Sequence, residues 1–252
     1  GIAERMFKSF PMLFKGKNAY VENYSSDAQR CVLTMSAFDL RLRQLNPRLK
    51  LTQCANATVQ PFLKEQPGSK SIQKAAKALT LPRIRKVVDD IADDVINRIY
   101  LPGQCPFKDD ADKKADFVRT LSDLSIIHQD YEYDRFDFLF TPSEKYRLWE
   151  QVNTYRYVQY GASYMFGDAV LGDGMMIIRA LLEDADEKLS GAERTATLRF
   201  GHDFTVLSLM EALKVDGRCV RTDDLDNLKD VWVDFEHAPM STNIQFVFYR
   251  NS

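Results

Sequence analysis

Tyr20-Val-Glu-Asn-Tyr-Ser-Ser-Asp-Ala-Gln-Arg-Cys31 reads as a strand running into a helix. Tyr20 to Tyr24 carry bulky side chains that suit a pleated strand. Ser25-Ser26-Asp27 breaks the strand, and Ser26 followed by Gln29 has the spacing of a capping box. The helix is expected to continue to about Leu45, with Val32, Met35, Ser36, Phe38, Leu42 and Leu45 at helical spacing and Asn46-Pro47 closing it. A similar junction lies near the other end. Thr195–Phe200 reads as a strand, Gly201-His202-Asp203 as a sharp connection in which Gly201 permits the turn, and Phe204–Leu213 as a helix.

Two strand-to-helix junctions so far apart imply an α/β fold: a mostly parallel sheet flanked by helices, with a largely helical cap subdomain inserted. Residues 1–60 and 190–252 are assigned to the sheet core, and 61–189 to the cap and the helices flanking the core. Loops 25–30 and 201–203 are expected to converge at the carboxyl ends of the strands, where open α/β sheets bind ligands.

Working outward, residues 2–10 predict a short helix with Ile2, Met6, Phe7 and Phe10 on one face, stopped by Pro11, and Leu49–Gln53 predicts a short strand. Helical patterning covers 71–79, 81–99, 112–129, 143–160 and 174–188. Its breaks fall at Leu81-Pro82, Leu101-Pro102-Gly103, Thr141-Pro142 and the glycine-rich 167–174. Thr141-Pro-Ser-Glu144 combines a turn with a helix start, and Val231–Phe235 and Ile244–Tyr249 predict two further strands.

Composition narrows the chemistry. In 252 residues, 34 Lys and Arg face 36 Asp and Glu for a net charge of -2, which argues against a nucleic-acid partner but leaves room for a local anion site. No apolar run approaches the ~20 residues of a membrane span, so no membrane partner is expected. Three scattered histidines, His128, His202 and His237, without an H-E-x-x-H pattern argue against a metal site. There is no P-loop, G-x-S-x-G or G-x-G-x-x-G signature, and no cofactor is implied. The four cysteines form no C-x-x-C pair and are expected to be free thiols.

Arg30, one turn into its helix, can grip phosphate oxygens in a bidentate fork beside the positive helix end; the plainer reading pairs it with Asp27 or another acid. His202 can donate to a phosphoryl oxygen or be a hydrogen-bonded core histidine. Asp203 can serve as general acid to a leaving alkoxide or simply cap a helix. The basic trio Arg83, Arg85 and Lys86 reads as a solvated face, His128 and His237 as packing and turn residues, and Tyr155, Tyr157, Tyr160 and Tyr164 as packing.

Tyr24-Ser-Ser-Asp-Ala-Gln-Arg-Cys31 with Met35-Ser-Ala-Phe38, Leu198-Arg-Phe-Gly-His-Asp203 and Pro239-Met-Ser-Thr-Asn-Ile-Gln-Phe-Val-Phe-Tyr-Arg250 together resemble the histidine phosphatase superfamily. The similar branch is that of histidine acid phosphatases, phytases and multiple inositol polyphosphate phosphatases. Leu139-Phe-Thr-Pro-Ser-Glu144 and Leu148-Trp149 look like the inositol-polyphosphate subgroup. The resemblance implies hydrolysis of phosphate monoesters through a phosphohistidine, with Arg30 and His202 holding phosphate and Asp203 as proton donor. It also implies a phosphate monoester or inositol phosphate as ligand and a periplasmic or secreted location.

The family's nucleophilic histidine lies in an N-terminal R-H-G-x-R motif, and no R-H-G occurs here. The chain is therefore expected to be truncated, to lack the first central strand, and to show negligible phosphatase activity. Loss of that strand would expose edges open to self-association unless another segment, a second copy or a local rearrangement closes them. Two readings follow beside an artefactual fragment: a cut enzyme, or a non-catalytic phosphate or inositol-phosphate binding module.

Overall fold

In the computed structural model, which describes every residue except 57, 65–69, 128–135, 162, 164, 167–170 and 250–252, strand β1 (Tyr20–Ser25) is the middle of a three-stranded sheet. It pairs in parallel with β2 (Lys50–Cys54) on one side and with β3 (Ala196–Phe200) on the other. No gap opens among these three strands, because β1 is bonded to both neighbours along its length. The chain has the expected α/β fold, a parallel sheet flanked by helices. His128, Tyr164 and Arg250 lie outside the described residues.

The chain divides into two units, one of Gly1–Lys70, Tyr160–Arg221 and Asp234–Ser252 and one of Ser71–Gln159 and Thr222–Val233. In the sheet unit, α1 (Ile2–Ser9), α2 (Pro11–Phe14) and α3 (Gln29–Leu45) cover one face. Ala3, Phe7, Phe14, Val21, Leu42 and Leu49 form its buried core, with Ala196 and Leu198 of β3 against it. α7 (Gly172–Leu189) and α8 (Asp203–Ala212) belong to a second cluster, in which Ile177, Ala180 and Leu209 meet Phe62, Leu63 and Tyr24. The alternation of β1 produces this division: Val21, Asn23 and Ser25 are buried while Tyr20, Glu22 and Tyr24 are half-buried. α7 and α8 approach closely at Gly174, where a Cβ would lie 2.1 Å from the carbonyl oxygen of Ser208.

The helical unit packs α4 (Lys70–Asn97), α5 (Ala111–Ile127) and α6 (Pro142–Tyr160) around Val88, Ile91, Val95, Ile96, Val118, Leu139 and Leu148. The break expected at Leu81-Pro82 does not occur; α4 runs through it. Pro82 removes one backbone donor, but the helix is buried on both sides of it, at Ala76 and Thr80 before and at Val87, Val88 and Ile91 after. Thr141 and Glu144 form a reciprocal cap at the start of α6. Each backbone N–H donates to the other's side chain, at 2.7 and 3.3 Å.

Two expected strands are not formed. Around Val231–Phe235 the chain instead makes a 3-10 turn at Leu228–Asp230 and the short helix α9 (Asp234–His237). Trp232 N–H donates to Leu228 O at 2.8 Å, and Asp234 accepts from Phe235 N–H at 2.8 Å, so local bonds replace a ladder. Ile244–Tyr249 pairs with no strand, and Phe248 and Tyr249 are exposed. β-forming side chains make a strand only beside another strand's backbone.

Candidate functional site

The register of β1 and β3 builds the site. Tyr24 stands opposite Arg199 and Ser25 opposite Phe200, so both strands end level. Ser26 N–H extends the pairing by one bond to Phe200 O at 3.0 Å. The chain then turns into α3 on one side and α8 on the other, bringing the two converging loops together within the sheet unit.

His202 sits at this junction as the N-cap of α8, half-buried. Arg30 Nη2 lies 2.8 Å from its Nδ1, and Ser26 Oγ lies 3.2 Å from its Nε2. A guanidinium has only donors. Nδ1 must therefore be the accepting, unprotonated nitrogen, and Nε2 carries the hydrogen that it donates to Ser26 Oγ. The Phe204 ring stacks on the imidazole at 4.8 Å and 14°, and Tyr160 stacks in turn on Phe204 at 5.4 Å and 21°. Cys31 Sγ stands 3.8 and 4.0 Å from the two ring nitrogens and donates to Gly201 O at 3.2 Å. The imidazole is thus fixed in tautomer and in plane.

Several roles differ from those expected. Ser26 does not cap α3: the N-cap is Ala28, without a side-chain cap hydrogen bond. Its hydroxyl is taken by His202, which leaves the positive end of α3 open beside Arg30. Asp27 pairs with Lys64 at 2.8 Å rather than with Arg30, and the ammonium holds its carboxyl below the usual range. Arg30 is exposed and its guanidinium is directed at His202. Gly201 does not need a left-handed backbone. It provides clearance, since a Cβ would come 3.3 Å from Thr205 Oγ1 and 3.4 Å from Leu63 Cδ2.

Asp203 opens α8, and its Oδ1 accepts from Phe204 N–H at 3.0 Å. It is half-buried, next in sequence to His202. Arg199, three residues before His202 on β3, is turned to the face of the sheet that carries Tyr24. It donates to Gln60 Oε1 and to Asp184 Oδ2, both at 2.7 Å, and Arg194 pairs with Glu22, Asp184 and Glu187. In the helical unit, Arg83 pairs with Asp226, and Arg85 with Asp89 and Asp112, so two of the basic trio are neutralised.

Of the three candidates named from sequence, the fold brings Arg30 onto His202, with Asp203 next to it in the chain, and it adds Ser26, Cys31, Phe204 and Tyr160 as the frame of the imidazole. Ser26 and Cys31 flank Arg30 within the motif, which was their only signal. Among the described residues no group of three or more His, Cys, Asp or Glu could hold a metal, and no helix is long and apolar enough to cross a membrane.

No family model and no curated protein matches the sequence. Solved structures of the multiple inositol polyphosphate phosphatase of Bifidobacterium longum do match. The likeness is one of fold. For the apo form the TM-score is 0.63 at 14% identity, covering 87% of this chain and 60% of that one. For the complex with phosphate it is 0.61 at 15% identity, covering 88% and 61%. For the complex with inositol hexasulfate it is 0.68 at 16% identity, covering 95% and 67%. The chain thus spans about three fifths to two thirds of those phosphatase chains.

Proposed function

We propose that this chain is phosphatase-like and that the junction of β1, α3, β3 and α8 binds the phosphate group of a phosphate monoester, with an inositol polyphosphate as the ligand class. One observation carries the reading: Arg30, His202 and the uncapped start of α3 converge at the carboxyl ends of two adjacent parallel strands. An arriving phosphate would take the guanidinium fork of Arg30 and hydrogen bonds from the backbone donors of α3. That frees Nδ1 of His202 to take up a proton and act as a further donor. The Bifidobacterium phosphatase of the same fold has been crystallised with phosphate and with inositol hexasulfate, which supports this ligand class.

In a hydrolytic cycle Asp203 would donate a proton from Oδ2 to the leaving alkoxide, while Oδ1 keeps the hydrogen bond from Phe204 N–H. The covalent step requires a nucleophile, which the resembled family draws from R-H-G. We therefore propose that these 252 residues bind but do not turn over. Calorimetry with inorganic phosphate and with inositol hexakisphosphate tests the binding, and phosphate release tests the turnover. Binding that weakens at least tenfold in both Arg30→Ala and His202→Ala is expected, with release at background. Binding indifferent to both changes sinks the site, and turnover abolished by His202→Ala sinks the non-catalytic reading. A binding-only module and a partial enzyme share the first result; release after supplying a segment bearing R-H-G-x-R separates them.

A further inference from the structure

Beneath α3, away from Arg30 and His202, lies a buried polar group that the phosphate site does not use. Asn23 on β1 is 1% exposed and Asp39 on α3 is 3% exposed. Asn23 Nδ2 donates to Asp39 Oδ2 at 3.1 Å, and Gln53 Nε2 on β2 donates to the same oxygen at 2.7 Å. Oδ1 of Asn23 and Oδ1 of Asp39 are both buried without a hydrogen-bond partner. A buried acceptor left unmet is costly, and here two occur in one bonded pair.

An ionised Asp39 cannot relieve either one, because a carboxylate only accepts. A carboxylic acid has one donor. We propose that Asp39 is held as the neutral acid, with a proton on Oδ1 donated to Asn23 Oδ1, so that acid and amide close a two-bond ring that locks α3 to β1. Oδ2 then acts as the carbonyl-type oxygen, which suits its two incoming N–H groups.

The surroundings agree. Burial is the largest influence on Asp39 and raises its affinity for the proton, opposed by the Gln53 hydrogen bond and by the positive charge of Arg43 on α3. Gln53 on β2 is neutral, and β1 contributes only Asn23, since Glu22 lies on the alternate face with Arg194. Among the described residues, Arg43 is thus the charged group that acts on Asp39.

Ionisation would leave both Oδ1 atoms as buried acceptors without a donor and would strip a bond from the α3–β1 contact. That contact carries Arg30 toward His202, so the lock makes the placement of α3 sensitive to pH. The folded-state acid binds its proton more tightly than the unfolded one. Its contribution is therefore full at low pH and is lost as pH rises through the folded-state midpoint.

Asp39→Asn tests this, because an asparagine amide can give the same two-bond ring without titrating. From about pH 4, the ordinary aspartate value, the unfolding constant of the unaltered chain relative to the variant should rise roughly tenfold per pH unit and then level off. A ratio that is flat, or that falls with rising pH, overturns the proposal. Carbon-13 NMR of the Asp39 carboxyl in the unaltered chain decides the matter even if the variant fails to fold. A titration midpoint clearly above about 4 is expected, and one at or below it overturns the proposal. Neither measurement depends on phosphate binding, so the lock and the phosphate site stand or fall separately.

Discussion

Arg30 Nη2 lies 2.8 Å from Nδ1 of His202, across 172 residues of chain, and this contact assigns the imidazole hydrogen to Nε2. The donor side of the ring faces Ser26 Oγ at 3.2 Å, and the acceptor side faces the cation. Nitrogen-15 NMR at neutral pH should show His202 with an unprotonated Nδ1 and a protonated Nε2. Arg30→Ala should weaken that preference, and the opposite tautomer in the unaltered chain would contradict the geometry.

The fork of Arg30, and not only its charge, should matter for anion binding. A hydrogen bond to a charged group contributes about 1.5–3 kcal/mol, so Arg30→Ala is expected to weaken phosphate binding roughly 10- to 150-fold. Arg30→Lys keeps a point charge and should fall between the two. Because Arg30 is exposed, urea midpoints of both variants should stay close to that of the unaltered chain. Lys and Arg binding equally well would show that only charge is read.

In the helical unit, Glu144 bonds both guanidinium arms of Arg98, at 2.7 and 2.8 Å, and accepts from Thr141 N–H. The Arg98 bond is the chief cause that holds its carboxyl below the usual value. Stability from this group is present above the unfolded carboxyl value of about 4.3 and is lost as pH falls through the lower folded value. Glu144→Gln should cost about 3 kcal/mol near neutrality, because it leaves a half-buried guanidinium without its counter-ion. The gap between the two chains should shrink as the solution is acidified; a gap that widens in acid would mean that Glu144 does not stabilise the fold as a carboxylate.

Gly174 is required by proximity. A methyl group there would sit 2.1 Å from Ser208 O and 2.8 Å from the Ala212 side chain. The first of these is backbone, which cannot swing away, so α7 and α8 must separate. Gly174→Ala should destabilise the sheet unit by about 3 kcal/mol despite the better helix propensity of alanine. A thermal melt within a degree or two of the unaltered protein would mean the helices part without strain.

Local order was readable where side-chain period and turn residues agree. Tyr20 to Tyr24, the helix ending at Leu45, Thr195–Phe200 and the helix after Asp203 all carry their signals within a few neighbouring residues, as does the Thr141–Glu144 cap. The motif order likewise placed Arg30, His202 and Asp203 at one sheet edge. Pro82 and Ile244–Tyr249 misled for complementary reasons. Packing on both sides of Pro82 outweighs one missing hydrogen bond, and strand-forming residues without a neighbouring backbone pair with nothing.

Sequence alone therefore determined the parallel α/β class and singled out Arg30, His202 and Asp203 as candidates, since both rest on local patterns. The tertiary structure decided who meets whom. That Ser26 serves His202 instead of α3, that Asp27 takes Lys64 and leaves Arg30 its histidine, and that Asp39 meets Asn23 all follow from the register of β1 with β3 and the seat of α3 on β1. Such pairings join residues far apart in the chain, and each polar group takes the partner that the packed backbone brings within bonding distance.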